Sequence, residues 1–331
     1  LEGTAGRMVS AQPFDGKEDV KHMKNIKHIL ICGAGMMGKN IGYVFASNPS
    51  FQVGMYDLYP TDVEAGIRTN TRQLLDKGVI TEQELSDRLS RISFTNDIDS
   101  DLVKNADLVI EAVFEDMKIK RETFAKLEAR CRPDTIFCTN SSVMSPSEIS
   151  AELQHRERFV GTHFWNPGHL IPLVEVVKSD ASSDEVAQTV MEVLRSVGKE
   201  PVLCKKDVPG FIANRMQHAL WREAISIVER GIADAATVDK AVRYSFGLRL
   251  PQLGPMENAD MVGTDLTYNI HDYILRDLED SHEPSPLLKQ LRDAGKIGFK
   301  TGEGFQKWTS EQVAKSNADL NEYLIKMLYG K

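Results

Sequence analysis

The stretch THFWNPGHLIPLVEVV, residues 162–177, carries a histidine directly ahead of two aromatic residues, His163, and a carboxylate set between Val174 and Val176, Glu175. A glutamate among valines is costly to desolvate unless a neighbour uses its charge. Histidine is the side chain best suited to taking a proton near neutral pH, and a carboxylate accepting from its second ring nitrogen fixes the tautomer and supports the imidazolium. General-base catalysis of this kind contributes about 10² to 10⁴ in rate. The same two residues also fit a core histidine and a strand glutamate facing water, so the elements around them must decide.

Those elements begin at KHILICGAGMMGKNIGYVFASNP, where an apolar strand, His28 to Cys32, turns through Gly33, Gly35 and Gly38 into an amphipathic helix. Three glycines between strand and helix permit a tight turn and close backbone approach, so that Met36, Met37 and their neighbours at the helix N-terminus can face a pyrophosphate. A second strand, FQVGMYD, ends at Asp57. An acid about 20 residues past the glycine turn accepts from both ribose hydroxyls and repels a 2′-phosphate, which favours NAD over NADP. Taken alone, Asp57 would be an ordinary turn residue.

Further buried-strand runs follow at ADLVIEAV, TIFCTNSS, RFVGTHFW, PLVEVV and PVLC, with amphipathic helices such as DMKIKRETFAKLEARC between them. The alternation predicts an α/β fold with a doubly wound, Rossmann-type, mainly parallel sheet over residues 26–207. Asn140, Ser141 and Ser142 fall where a strand ends, the edge at which ligands bind in such sheets. After Pro209-Gly210 the strand signal stops. Residues 208–331 then read as an all-helical C-terminal domain, with helical spacing through Ile212, Met216, Leu220 and Ile227, a helix opening at Asp234, and a glycine-rich loop GKIGFKTGEGFQKW.

Composition narrows the function classes. A net charge of −8 argues against nucleic acid as the main partner. No apolar run approaches the roughly 18 residues of a membrane span. Residues 1–25 lack the apolar core of a signal peptide and read as a flexible, partly vector-derived segment outside the fold. Four cysteines without a CxxC pair suggest reduced thiols in a cytoplasmic setting. No HExxH or Cys/His cluster suggests a metal, and no GxSxG a serine nucleophile.

The motifs NSS, HFWNP, LVEVV, DVPGFIANR and KTGEGF follow one another behind the glycine turn. This ordered set resembles the L-3-hydroxyacyl-CoA dehydrogenase family over about residues 26–308. The resemblance implies an NAD-dependent oxidoreductase of fatty acid metabolism, dimeric through its helical domain, oxidising the C3 hydroxyl of a short 3-hydroxyacyl-CoA to the ketone. It implies that His163 and Glu175 are the catalytic pair, and that Ser142 and Asn214 hold the reacting oxygens. Otherwise Ser142, in competition with Ser145, would be a helix N-cap, and Asn214 a surface helix residue. It implies further cofactor contacts at Glu115, Lys120, Asn140, Asn166 and Lys300, where the two lysines would otherwise be solvated charge.

The substrate end divides. Members acting on coenzyme A thioesters often carry a lysine before LVEV, whereas this chain has Ile171-Pro172, closer to relatives that oxidise free 3-hydroxy acids, sugar acids, carnitine or a pyridine carboxylate. Arg68 and Arg72, spaced i, i+4 on one helix face, and Lys77 match basic positions that grip coenzyme A; Gln73 stands where another lysine is usual. The expectation is the thioester, with a free hydroxy acid as the alternative. A third reading is a catalytically silent NAD-binding structural protein.

Overall fold

The structure, a computed structural model, describes residues 26–330; the N-terminal segment 1–25 lies outside the described residues. Eight strands form one sheet: β1 His28–Cys32, β2 Gln52–Tyr56, β3 Ile92–Thr95, β4 Leu108–Glu111, β5 Ile136–Thr139, β6 Phe159–Phe164, β7 Leu173–Lys178 and β8 Glu200–Cys204. Their order is β3-β2-β1-β4-β5-β6-β7-β8, and every neighbouring pair is parallel except β6 and β7. The helices of this unit are α1 Met36–Phe45, α2 Val63–Asp76, α3 Glu82–Leu89, α4 Asp101–Lys104, α5 Met117–Glu128, α6 Pro146–Ile149 and α7 Asp184–Ser196. The predicted doubly wound sheet is present. Its one addition is β3, an edge strand whose residues are only partly buried, so ISFT lacks the apolar run that marks the inner strands.

Strand alternation sorts side chains onto two layers. On one face Ile29 and Ile31 of β1 and Val174 and Val176 of β7 pack with Ile41 and Phe45 of α1. On the other, Leu30 and Cys32 pack with Phe124 of α5 and Phe159 of β6, where the Phe124 and Phe159 rings meet edge to face at 4.8 Å. His163 and Glu175 share the parity of Phe159 and Val177, so they lie on the second face. Both sit where β6 ends, at the carboxyl edge of the sheet.

The remaining helices are α8 Ala213–Glu229, α9 Ala235–Arg243, α10 Phe246–Arg249, α11 Pro255–Val262, α12 Thr264–Ile274, α13 Pro286–Asp293 and α14 Ser310–Tyr329. Residues 214–320 form a second compact unit, and from Asn321 the chain belongs with the sheet, where Ile325 of α14 joins its core. Asp234 caps α9, its carboxylate accepting from the Thr237 amide. Helices α9 to α13 bury no residue in the single chain, and Leu248, Met256, Met261, Tyr268 and Tyr273 are each at least 70% exposed. Among the described residues no helix is long and apolar enough to cross a membrane, and Cys32, Cys131, Cys138 and Cys204 are free thiols.

Candidate active site

The glycine turn is built so that side chains cannot enter it. Gly33 has φ +108°, and a Cβ there would lie 2.6 Å from the Ala112 carbonyl oxygen. A Cβ on Gly38 would meet the Gly33 oxygen at 1.8 Å, so the first turn of α1 packs directly on the loop. Gly35, by contrast, faces open space, as the approach of a pyrophosphate to an N-terminus requires. Met36 is exposed and Met37 half-buried in that same first turn. Asp57 follows β2, and its Oδ2 accepts from the Ala34 amide at 2.7 Å while Oδ1 accepts from Tyr59 at 3.1 Å. Its carboxylate thus fixes the glycine turn and stands beside it. The cradle fits a dinucleotide.

His163 and Glu175 face each other in the antiparallel β6–β7 register. His163 Nδ1 is 2.8 Å from Glu175 Oε2, with the histidine 5% and the glutamate 0% exposed. Glu175 Oε2 also accepts from Trp165 Nε1 at 3.3 Å, and Oε1 from the amides of Ile212 and Ala213, both at 2.9 Å. Burial raises the Glu175 carboxyl, but the bonds from His163, Ala213 and Ile212 outweigh it and hold the group below the ordinary carboxylate range. An ionised Glu175 accepts from Nδ1–H, which leaves Nε2 of the neutral imidazole to take a proton. The two amides reach Oε1 because Gly210 and Phe211 turn with positive φ, 77° and 51°. A left-handed phenylalanine costs about 1–2 kcal/mol; burial of its ring beside His163, with centroids 5.8 Å apart, offsets that.

At the ends of β4 and β5, Lys120 is buried with its ammonium 2.8 Å from Glu111 and 3.1 Å from Glu115. Glu115 in turn accepts from the Ser141 hydroxyl and, at 3.0 Å, from the Ser142 amide. Burial raises Glu115, but the Ser141 hydroxyl and Lys120 hold it below its usual range; at Glu111 burial prevails and the carboxyl is raised. Lys120 therefore shapes the Ser142 loop through Glu115 and is not solvated charge. Ser142 itself is exposed, and the N-cap of α6 is Ser145. Asn140 Oδ1 accepts from the Phe164 amide at 2.9 Å, tying this loop to β6 beside His163.

Asn166 is exposed in the loop after β6. That loop is held from beneath by Lys199, which is 5% exposed and donates at 2.7 Å to the carbonyls of both Gly168 and Ile171. Desolvation lowers the Lys199 ammonium to about 8, and desolvation together with Lys199 lowers His169 to about 4. In the second unit Asn214 is buried in the first turn of α8, and Lys300 is exposed in the turn flanked by the Gly298–Glu303 bridge. On α2, Arg68 pairs with Glu64 at 2.9 Å and Glu82 at 3.2 Å, Arg72 with Asp76 at 3.0 Å, and Lys77 beyond the helix with Glu322 at 2.6 Å.

Four contributors were not singled out from sequence: Trp165, Lys199, Glu111 and Phe211. Glu111, in the buried run LVIE, raises the same question as Glu175, which was a usable signal. Lys199 stands alone between Gly198 and Glu200 and reads as solvated; its burial shows only once the chain is folded.

A dinucleotide cradle at the carboxyl edge of a parallel sheet, with a carboxylate-backed histidine on the same edge, defines an NAD-dependent oxidoreductase. Residues 28–208 match the family described as 3-hydroxyacyl-CoA dehydrogenase, NAD binding domain, and residues 210–308 its C-terminal domain. The chain is 37% identical over 284 residues to the "Probable 3-hydroxybutyryl-CoA dehydrogenase" of Bacillus subtilis, covering 85% of this chain and 96% of that one. Its fold matches the crystal structure of 5-formyl-3-hydroxy-2-methylpyridine 4-carboxylic acid 5-dehydrogenase, an NAD+-dependent dismutase, with TM-score 0.84 at 33% identity, over 92% of this chain and 99% of that one. It matches the (S)-3-hydroxybutyryl-CoA dehydrogenase PaaH1 of Ralstonia eutropha with TM-score 0.72 at 27% identity, over 86% and 99%. The chain belongs to the 3-hydroxyacyl-CoA dehydrogenase family.

Asp57→Ala removes the one carboxylate at the end of β2. The ratio of kcat/KM with NAD to that with NADP is expected to fall by at least about tenfold, the size of a lost hydrogen bond to a charged group. An unchanged ratio would take Asp57 off the ribose.

Proposed function

We propose that this chain oxidises the C3 hydroxyl of a short-chain 3-hydroxyacyl-CoA to the 3-keto product, with His163 as general base and Glu175 as its support. The observation that carries the reading is the 2.8 Å contact from His163 Nδ1 to a fully buried Glu175. It leaves Nε2 to receive the hydroxyl proton, and the charge that appears on the ring is met by a carboxylate already ionised. NAD supplies the hydride acceptor when bound, with Asp57 and the glycine turn at its adenosine half and Asn140 and Asn166 at its nicotinamide half. Glu115, backed by Lys120 and bonded to the Ser142 amide, would contact a cofactor ribose beside that loop, and Lys300 is a further candidate cofactor contact. Ser142 and Asn214 would hold the substrate oxygens.

For the thioester, Arg68, Arg72 and Lys77 are the candidate phosphate contacts. All three are paired with acids, but exposed pairs are worth only about 0–1 kcal/mol, and a phosphate that an arginine grips through two N–H groups competes well against them. A free hydroxy acid is the second reading. It draws support from Pro172 in place of a lysine, from those same ion pairs, and from the fit to the pyridine-carboxylate enzyme. We further infer a cytoplasmic homodimer, in accord with the free thiols and with the large apolar side chains that α9 to α13 leave exposed in the single chain.

His163→Gln should bind NAD with near-normal affinity and lose at least about a hundredfold in kcat. Retained turnover would remove His163 from the mechanism, and a wild-type chain that binds NAD but turns over none of a panel of 3-hydroxy substrates would favour a structural protein. NADH absorbance with 3-hydroxybutyryl-CoA and with free 3-hydroxybutyrate separates the two substrate readings. The thioester reading expects a KM at least about tenfold lower for the CoA form, from one or more charge-assisted phosphate contacts; equal, poor activity on both contradicts it.

A further inference from the structure

We propose that Trp165 is a positioning residue of the dyad, its indole N–H holding Glu175 Oε2 on His163; this rests on the dyad reading above. Trp165 follows β6 two residues after His163. Its ring centroid lies 5.4 Å from that of His163 at an interplanar angle of 52°, and Nε1 is 3.3 Å from Glu175 Oε2.

The carboxylate needs such a donor. The terminal torsion of a glutamate is broad, so the two oxygens stay in place only where each is held by its own partners. Oε1 is held by two backbone amides that do not change during turnover. Oε2 is shared between His163, whose charge changes with each proton taken, and Trp165. An indole N–H donates, never accepts, and has no proton to lose in the working range. It therefore keeps Oε2 oriented in both charge states of the imidazole and adds no competing acid or base.

The ring also shields the pair. Glu175 is fully buried and His163 nearly so, while Trp165 is half-buried over them. Phenylalanine would supply that cover without the donor, so cover and hydrogen bond can be separated by experiment. The other tryptophans, Trp221 and Trp308, lie in residues 214–320, where Trp221 packs on His218 and Trp308 on Phe299. Trp165 is thus the one indole of the sheet unit.

The test replaces Trp165 in the full-length chain by 3-benzothienylalanine, which keeps both rings and puts sulfur in place of the N–H, beside Trp165→Phe. With NAD and the substrate the wild-type chain oxidises, the analogue is expected to lower kcat at least about tenfold and to leave the KM for NAD within about twofold, the effect of one lost hydrogen bond to a charged carboxylate. Trp165→Phe should fall at least as far. A fully active analogue overturns the proposal, whether or not Trp165→Phe folds, because shape alone then suffices. A second readout needs no turnover, so failure of the dehydrogenase reading leaves the proposal testable. The Nδ1–H proton resonance of His163, observed in ¹⁵N-labelled protein, should be sharp in the wild type and broadened or shifted in the analogue; an unmoved resonance overturns the proposal.

Discussion

A carboxylate with no exposure to water, accepting from four N–H donors, is the constraint on which the site depends. Burying an ionised carboxylate without partners costs several kcal/mol or drives it to neutrality. Here four donors fill its acceptor sites, and protonation would break at least one of those bonds. Glu175 therefore stays an anion, and an anion at that place sets the tautomer of His163. It also accepts from the amides of Ile212 and Ala213, so the dyad and the chain leading into α8 are fixed by one group.

The nucleotide cradle follows the same logic at the other end of the edge. Asp57 accepts from the Ala34 amide, so a residue expected to meet a ribose also shapes the turn meant for the pyrophosphate. Glu115 likewise joins the loop after β4 to the loop after β5 through Ser141 and Ser142, with Lys120 beneath it. These residues bind the protein's own loops, and that is how short polar loops keep a defined shape at the end of an apolar sheet.

Much of this was legible in the sequence. The strands β1, β4 and β5 are apolar runs buried on both faces, and three glycines set between an apolar strand and an amphipathic helix point to a dinucleotide turn. The edge strand β3 was hidden because half-exposed residues carry no such pattern. His163 and Glu175 could be singled out by type and spacing, but the choice between a catalytic pair and a core histidine came from resemblance, since alternation alone does not reveal which residues face each other. The donors to Glu175 Oε1 could not be read at all: they are backbone amides, aimed by a left-handed Phe211 that no residue type announces. Lys120 and Lys199 look like surface lysines in a string of letters, because burial of a long cationic side chain is decided by what the rest of the chain packs over it.

Glu175 also ties the site to stability. Its folded-state pKa is depressed, so its contribution is fully present above the unfolded carboxylate value and is lost as pH falls through the lower folded value. The most direct measurement is a ¹³C NMR titration of the Glu175 carboxyl in the folded chain, assigned against Glu175→Gln. The carboxyl is predicted to remain ionised to well below the ordinary glutamate value of about 4.3. A carboxyl that takes its proton at or above that value would mean that the four donors do not hold a buried anion, and His163 would have no fixed partner.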